Sequence, residues 1–403
     1  MNVRSLARPL IRRADVPAVI LGGGISALAV LRALGIRGVP TFLLGSAGEV
    51  AARSRFAARL SGGDVAATAT SLLAALRSSG IEEAVLFPCS DDWLHAVAAL
   101  PPEARHAFPS PIATPDVVAT LTRKDLFARA AALYDVPHPR TTEVRCSDDL
   151  ARVSDHELSS SFLKPSDSQA FSRRFRTKGF RVADRDQAGE LLRGATAAGL
   201  GLVLQEFIPA DPSAHIFLDG FVDRDGRIRG LLARQRLRMF PPGLGNSTDS
   251  VTVPLAGVTP AIDALRRLFR GLGYRGLFDA EFVRDDRDGV FRVIEVNARP
   301  WWQLELAAAA GLDLVGMAYD DALGRAVREA AGYRIGARWI NPIQDVRSRL
   351  AHEAIAIAPL CRRDPWLRAR HAAFRWNDPA PGFAELSRLL RAVAKRGHRR
   401  RQR

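Results

Sequence analysis

The chain has 403 residues, 58 Lys+Arg against 43 Asp+Glu, a formal net charge of +15, and 47% apolar with 25% charged residues. This length and composition suit a folded protein of two to four domains and exclude a disordered, collagen-like or disulfide-stapled chain. Cys89, Cys146 and Cys361 stand far apart without a CxxC pair, which points to a reducing, cytoplasmic compartment.

Arg4, Arg8, Arg12 and Arg13 before the apolar run Val16 to Leu31 imitate a secretory signal. The run contains Gly22-Gly23-Gly24, however, and continues into a strand–turn–helix–strand unit, so we read it as part of the fold. Ala18–Leu21 reads as a strand, Ser26–Leu34 as a helix and Thr41–Leu44 as a second strand. A helix over Val65–Ser78 and a strand over Ala84–Phe87 complete an α/β pattern with a parallel sheet. Pro109, Pro111 and Pro115 mark a boundary, after which Thr122 reads as the N-cap of a helix over Lys124–Tyr134. Strands Ser161–Lys164 and Leu202–Phe207 flank a helix near Gln187–Ala198. From His215 the pattern becomes antiparallel, with a hairpin of Ile216–Val222 and Ile228–Met239. Thr259-Pro260 opens a helix to Leu272, and a second hairpin joins Gly276–Val283 to Val290–Val296. Helices near Ile343–Ala354 and Phe383–Ala394 follow. No window of about 18 apolar residues free of helix breakers appears, so no transmembrane span is expected.

Gly22 to Ala27 fits G-x-G-x-x-A between a strand and a helix, a dinucleotide fingerprint. The acid needed at the end of the second strand is missing, because that position reads Leu44-Gly45-Ser46. A turn that lets the helix pack closely is the better reading. Arg284 to Gly289 with Glu295 spells most of a calcium loop, but position one is Arg284 and the flanks are strands, so we reject it.

The second hairpin is the most informative stretch. Asp279 and Glu281 leave one face of its first strand, Glu295 and Asn297 leave one face of the returning strand, and the turn brings Glu281 roughly opposite Glu295. Two facing carboxylates repel and call for a cation. Glu281, Glu295 and Asn297 form an oxygen set suited to Mg²⁺, with Mn²⁺ as a substitute. Arg299 follows at a spacing suited to an anion on the metal.

Lysine is scarce: Lys124, Lys164, Lys178 and Lys395 stand against 54 arginines. Lys124 begins a helix, where the macrodipole disfavours a cation unless an anion holds it. Lys164 ends a strand before the polar loop Ser166 to Ser172, which includes Ser168 and suits phosphates. Gln205-Glu206-Phe207-Ile208 ends an apolar strand and suits the edge and face of a base. Arg234, Arg236 and Arg238 alternate along one strand and read equally as carboxylate binders or as charges on an edge strand. Trp301-Trp302 and the loop Pro242 to Ser247 are candidates for a substrate wall. Arg391–Arg403 holds seven Lys/Arg and no acid; it reads first as a solvated terminus, with anionic polymer, membrane surface or nucleic acid as lesser readings. The rest carries about +8, which requires no nucleic-acid partner.

In this order of parts the chain resembles the ATP-grasp superfamily, closest to its carboxylate–amine ligases, the D-aspartate-ligase-like branch included. The resemblance covers roughly residues 16 to 325. It implies a Rossmann-like N-terminal domain (1–117), an ATP-grasp domain of two α+β subdomains (118–328) and a helical extension with a basic tail (329–403). It further implies that Lys124 and Lys164 bind the phosphates of ATP under the Ser166–Ser172 loop. Glu206 to Ile208 would hold adenine, and Asp211 or His215 the ribose. Glu281, Glu295 and Asn297 would ligate Mg²⁺, and Arg299, with Lys164, would steady the transferring phosphoryl group. The covering loop departs from the family in containing no glycine. The implied reaction joins a small carboxylate and an amine, amino-acid or peptide-like, through an acyl phosphate; a homodimer is compatible with it. Three alternatives stand beside it: an ATP-grasp carboxylase, a Rossmann-type NAD or FAD oxidoreductase, and a non-catalytic nucleotide-binding protein.

Overall fold

Short apolar segments that offer hydrophobic side chains to both faces build the first sheet. It contains β1 (Ala18–Leu21), β2 (Thr41–Leu44), β3 (Ala58–Arg59) and β4 (Val85–Pro88), all parallel, in the order β3-β2-β1-β4. The computed structural model describes residues 16–61, 65–166, 179–182, 184–241, 245–351 and 368–401. Val19 and Leu21 of β1 face a core with Leu72 and Leu94, whereas Ala18 and Ile20 face another with Leu28 and Leu31. Both faces of this small sheet are therefore covered.

The helix expected from Val65 begins at Ala69, where Thr68 caps it by accepting a hydrogen bond from the Ser71 N–H. After β4 the chain enters a helix, Asp91–Ala98, capped by Ser90 with Asp91 and Asp92 in its first turn. Acids there complement the positive helix end. Pro115 starts a further helix, Pro115–Thr122, so Thr122 ends one helix instead of capping the next. The chain extends at Arg123, and the helix Lys124–Leu133 follows.

The glycine turn after β1 is tightly filled. Gly22 has a φ of 110°, and a Cβ on Gly23 would lie 1.8 Å from the Glu49 carboxylate. A carboxylate already stands where a pyrophosphate would approach the helix, which favours the packing role over a dinucleotide site.

A second sheet comprises β5 (Thr141–Val144), β6 (Ser161–Pro165), β7 (Phe180–Arg181) and β8 (Leu202–Glu206), in the antiparallel order β5-β8-β6-β7. The helix Arg185–Ala197 packs on it through Ala188, Leu192 and Ala195.

The third and largest sheet contains β9 (His215–Val222), β10 (Ile228–Phe240), β11 (Asn246–Val253), β12 (Gly276–Arg284), β13 (Phe291–Asn297), β14 (Arg338–Ile340) and β15 (Arg370–His371). Its order is β13-β12-β9-β10-β11-β14-β15. Phe278, Ala280 and Phe282 of β12 point to one face, where the helix Thr259–Leu272 presents Ile262, Leu265, Leu268 and Phe269. Burying that face leaves the opposite one, carrying Asp279 and Glu281, to line a cleft.

Two expectations are corrected here. The loop read as Pro242 to Ser247 gives way at Asn246 to β11, whose residues 248–253 carried no assigned element, and Ser247, Thr248, Asp249 and Ser250 are buried on it. Polar residues that satisfy internal partners hide the usual strand alternation. The segment from residue 329 is not a purely helical extension, since β14 pairs with β11 and β15 with β14. Among the described residues its helices are Pro342–Ala351 and Ala380–Arg401. Among the described residues no helix is long and apolar enough to cross a membrane.

Candidate functional site

The polar face of the large sheet, β6 and β8 of the second sheet, and the start of the Asp91–Ala98 helix enclose one cleft of about 870 Å³. That volume suits a ligand of nucleotide size. Lys124, Lys164, Ser166, Gln205 to Ile208, His215, Arg234, Arg236, Glu281, Glu295, Asn297, Arg299, Trp301 and Trp302 all line it.

Glu281 pairs directly with Glu295 across β12 and β13, and Asp279 with Asn297. The pairing read from the sequence arises through a register shift between Glu281 and Phe282, without which Glu281 would face Ile294. Both carboxylates are held by cations. Glu281 lies 2.8 Å from His215 Nδ1 and 3.0 Å from Arg236 Nη2, while Lys124 Nζ lies 3.8 Å from Glu295. Lys124 at its helix start therefore has an anion nearby, as the dipole argument requires. Among the described residues no group of three or more His, Cys, Asp or Glu is placed to hold a metal. A cation between Glu281 and Glu295 would need Asn297 and oxygens from a ligand to complete its shell. That donor set of hard oxygens fits Mg²⁺.

Lys164 Nζ donates to Gln205 Oε1 at 2.7 Å, which joins the phosphate candidate to the base candidate. The Glu206 N–H donates to Arg140 O and the Phe207 N–H to Ser160 O, while the Glu206 carboxylate pairs with Arg287 at 2.7 Å. A base in this part of the cleft would be read by Ile208 and by carbonyl oxygens. Phe207 offers its ring, on which the Arg181 guanidinium stacks 5.1 Å from the centroid.

Asp211 is not brought into the cleft; it accepts hydrogen bonds from the Ser213 backbone and hydroxyl. Of the two ribose candidates only His215 lines the cavity. Ser168, Lys178 and Pro242 to Leu244 lie outside the described residues.

The arginine strand is internal to the sheet, not an edge. A register shift between Arg236 and Arg238 separates the third arginine, whose guanidinium goes to Asp249 and Asp345. Arg234 is buried between Asp219 and Asp279, 2.7 Å from each, and stacks 3.8 Å over the Phe217 ring. Its Nη1 is a buried donor without a hydrogen-bond partner. Arg236 donates to Ser247 Oγ and contacts His215 and Glu281.

Asp219 directly opposes Asp279 on β9 and β12. Burial first, and the adjacent Asp279, hold Asp219 well above the usual carboxylate range against the pull of Arg234. Asp219 therefore holds a proton more tightly in the folded protein than in the unfolded chain. That contribution to stability is fully present below the unfolded value and is lost as pH rises from there through the folded value. Asn in place of Asp219 keeps an acceptor for Arg234 and for Trp301 Nε1, which lies 3.1 Å away. We expect Asp219→Asn to flatten the dependence of the urea midpoint on pH between about pH 4 and pH 8; equal slopes in the two proteins would refute this.

The sequence reading missed Asp91. Its carboxylate grips Arg299 at both oxygens, 2.5 Å to Nε and 3.2 Å to Nη2. Burial works to lower the Arg299 pKa, but Asp91 and then Glu295 overcome it and raise it. A Ser-Asp-Asp after a strand was the available signal, since it spells a cap and an acidic first turn. His95 and Gln303 also line the cleft without having been singled out, as does Asn246 from the loop read as a substrate wall.

These sheets and this cleft form an ATP-grasp fold. Biotin carboxylase of Campylobacter jejuni superposes with a TM-score of 0.62 over 80% of this chain and 74% of its own, at 13% identity. L-amino acid ligase of Bacillus licheniformis gives 0.58 over 77% and 75%, at 15% identity. N5-carboxyaminoimidazole ribonucleotide synthetase of Thermus thermophilus gives 0.59 over 80% and 81%, at 17% identity. By sequence, D-aspartate ligase of Enterococcus faecium is 24% identical over 245 residues, 59% of this chain. The match spans 58% of that relative's length. No family model matches the chain.

Proposed function

We propose that the protein is an ATP-dependent ligase that joins a carboxylate to an amine through an acyl phosphate, releasing ADP and phosphate. The observation that carries this reading is the facing pair Glu281 and Glu295, with Lys124 beside it, on one cleft with Lys164 and the Gln205–Ile208 segment. The sequence likeness to a D-aspartate ligase and the structural likeness to an L-amino acid ligase support it.

In this scheme Lys124 and Lys164 neutralise the phosphates of ATP, Ile208 and the neighbouring carbonyls hold the base, and His215 approaches the ribose. Ser166 and the following loop, Ser168 included, would cover the phosphates. Glu281, Glu295 and Asn297 would hold Mg²⁺, which when bound supplies charge neutralisation for phosphoryl transfer. Arg299, released in part from Asp91, steadies the transferred group. A substrate carboxylate oxygen attacks the γ-phosphorus and the bond to ADP breaks. The amine then attacks the acyl carbon, phosphate leaves with the former carboxylate oxygen, and the amine proton passes to solvent. Most of the rate enhancement is positioning and charge neutralisation. The unpartnered Nη1 of Arg234, backed by Arg236, is the donor offered to an acidic substrate, with Trp301 and Trp302 as wall.

A carboxylation reading is favoured by the likeness to biotin carboxylase, because the same cleft would serve bicarbonate. A screen of amino acids, dicarboxylic acids and bicarbonate separates the two. With Mg²⁺ and ATP, we expect an amino acid or peptide-like acid with an amine to stimulate equimolar ADP and phosphate release with an amide product. Stimulation by bicarbonate alone would favour the carboxylase. No stimulated release by any of them would sink both.

A further inference from the structure

We propose that the C-terminal helix docks the protein on an anionic lipid bilayer. The helix Ala380–Arg401 exposes Phe383, Leu386 and Leu390 at 59%, 49% and 60%. Their spacing of three and four residues places them on one helix face. Just before the helix, Trp376 is 91% exposed. Phe374 links the two, with ring centroids 5.1 Å from Trp376 and 5.9 Å from Phe383. A soluble surface rarely leaves such a continuous aromatic and aliphatic strip uncovered.

The strip does not arise because the helix is loose at that end. Its opposite side is seated on the first part of the chain, where Arg388 Nη2 donates to Gly48 O at 2.6 Å. Asp378, just ahead of the helix, accepts from Arg32, Ser54 and the Arg55 N–H. The apolar face is presented outward from a fixed base.

Charge selects the occupant. No acid follows Glu385, and Arg391–Arg403 carries seven Lys/Arg. Aromatic and leucine side chains on one face together with a dense basic end are the composition of a helix that lies in a membrane interface. A second copy of this chain carries the same +15 and supplies no anionic surface for the basic end. A nucleic acid would satisfy the arginines but leave Trp376, Phe383, Leu386 and Leu390 in water. An anionic bilayer satisfies both halves, with headgroups for the basic end and acyl chains for the strip.

The test is co-sedimentation of the full chain with vesicles of phosphatidylcholine containing about 30% phosphatidylglycerol. Binding is expected to be at least about tenfold tighter than to phosphatidylcholine alone. Leu386→Ser with Leu390→Ser, and separately Lys395→Gln with Arg396→Gln and Arg399→Gln, should each weaken it about tenfold. Trp376 emission should shift to the blue on the anionic vesicles, and Trp376→Phe should abolish that shift. Thermal midpoints and ADP release in solution should be unchanged, because Trp376, Leu386 and Leu390 lie outside the cleft. Equal binding to neutral vesicles, or retention by the leucine variant, overturns the proposal. So does a marked loss of thermal stability in the leucine variant, which would show the strip covered within the chain. Concentration-dependent dimerisation lost in the leucine variant, or binding of a DNA duplex without vesicle binding, overturns it as well.

Discussion

Glu295→Gln is expected to lower stimulated ADP release by roughly 10²- to 10³-fold, the scale of removing one preorganised electrostatic contact. Stability should change by no more than about 0.5 kcal/mol, as for other exposed positions. The side chain is 42% exposed, and its ion pair to Lys124, at 3.8 Å, is long. A pair of this kind contributes about 0.2–1 kcal/mol at most. Loss of the charge also relieves repulsion from Glu281 directly opposite. The two changes oppose each other in the free protein and do not in the ligand-bound one, where a cation would need both charges.

Glu281→Gln separates the two roles from the other side. Glu281 lies among His215 and the buried Arg236, so removing its charge should cost stability as well as turnover. A coupled ADP assay with a parallel urea titration checks both variants. Undiminished ADP release by Glu295→Gln would sink the metal assignment, whatever the fold.

That contrast also marks what the sequence could disclose. Glu281 and Glu295 were legible because a hairpin converts spacing into approximate register, although the shift between Glu281 and Phe282 that sets them directly opposite leaves no mark in the string. Lys124 was legible because a cation at a helix start conflicts with the dipole. Asp219 was not, since a single Asp in the apolar strand Ile216–Val222 looks like a passing exposed position. Only the pairing of β9 with β12 and β10 places it against Asp279 and Arg234. Asp91 was hidden for the same reason, being 208 residues from Arg299. β11 was hidden differently. Ser247 accepts from Arg236, Thr248 donates to Asp345 and Thr252 to the Arg334 carbonyl oxygen, so hydrophobic periodicity carries no trace of the strand. The sheet's course was thus readable where apolar alternation or turns repeat, and unreadable where charge pairs close over long separations.

Arg32 is the extreme case of such a closure, and Arg32→Met is expected to cost about 3–5 kcal/mol of stability. Arg32 is the one charged residue of the helix Ile25–Ile36 and is fully buried. It donates 2.9 Å to Asp378 and 3.1 Å to Glu305. Its third nitrogen reaches the carbonyl oxygens of Ala373 and Asp378, at 2.6 and 3.0 Å. Without the guanidinium, Glu305 retains Arg375 at 3.7 Å, and Asp378 retains Ser54 and the Arg55 N–H. Two buried carboxylates would then share too few donors, and leaving a buried charge uncompensated costs more than the intact pair contributes. Because the site is shielded from solvent, the loss should persist in 1 M salt, unlike that of an exposed pair. Adding Glu305→Gln and Asp378→Asn to Arg32→Met should recover part of the loss, since the uncompensated charges are then gone. A urea titration of the single and triple variants decides the matter. A single variant within 1 kcal/mol of the parent would show that the arginine does not hold residues 373–378 against the first sheet.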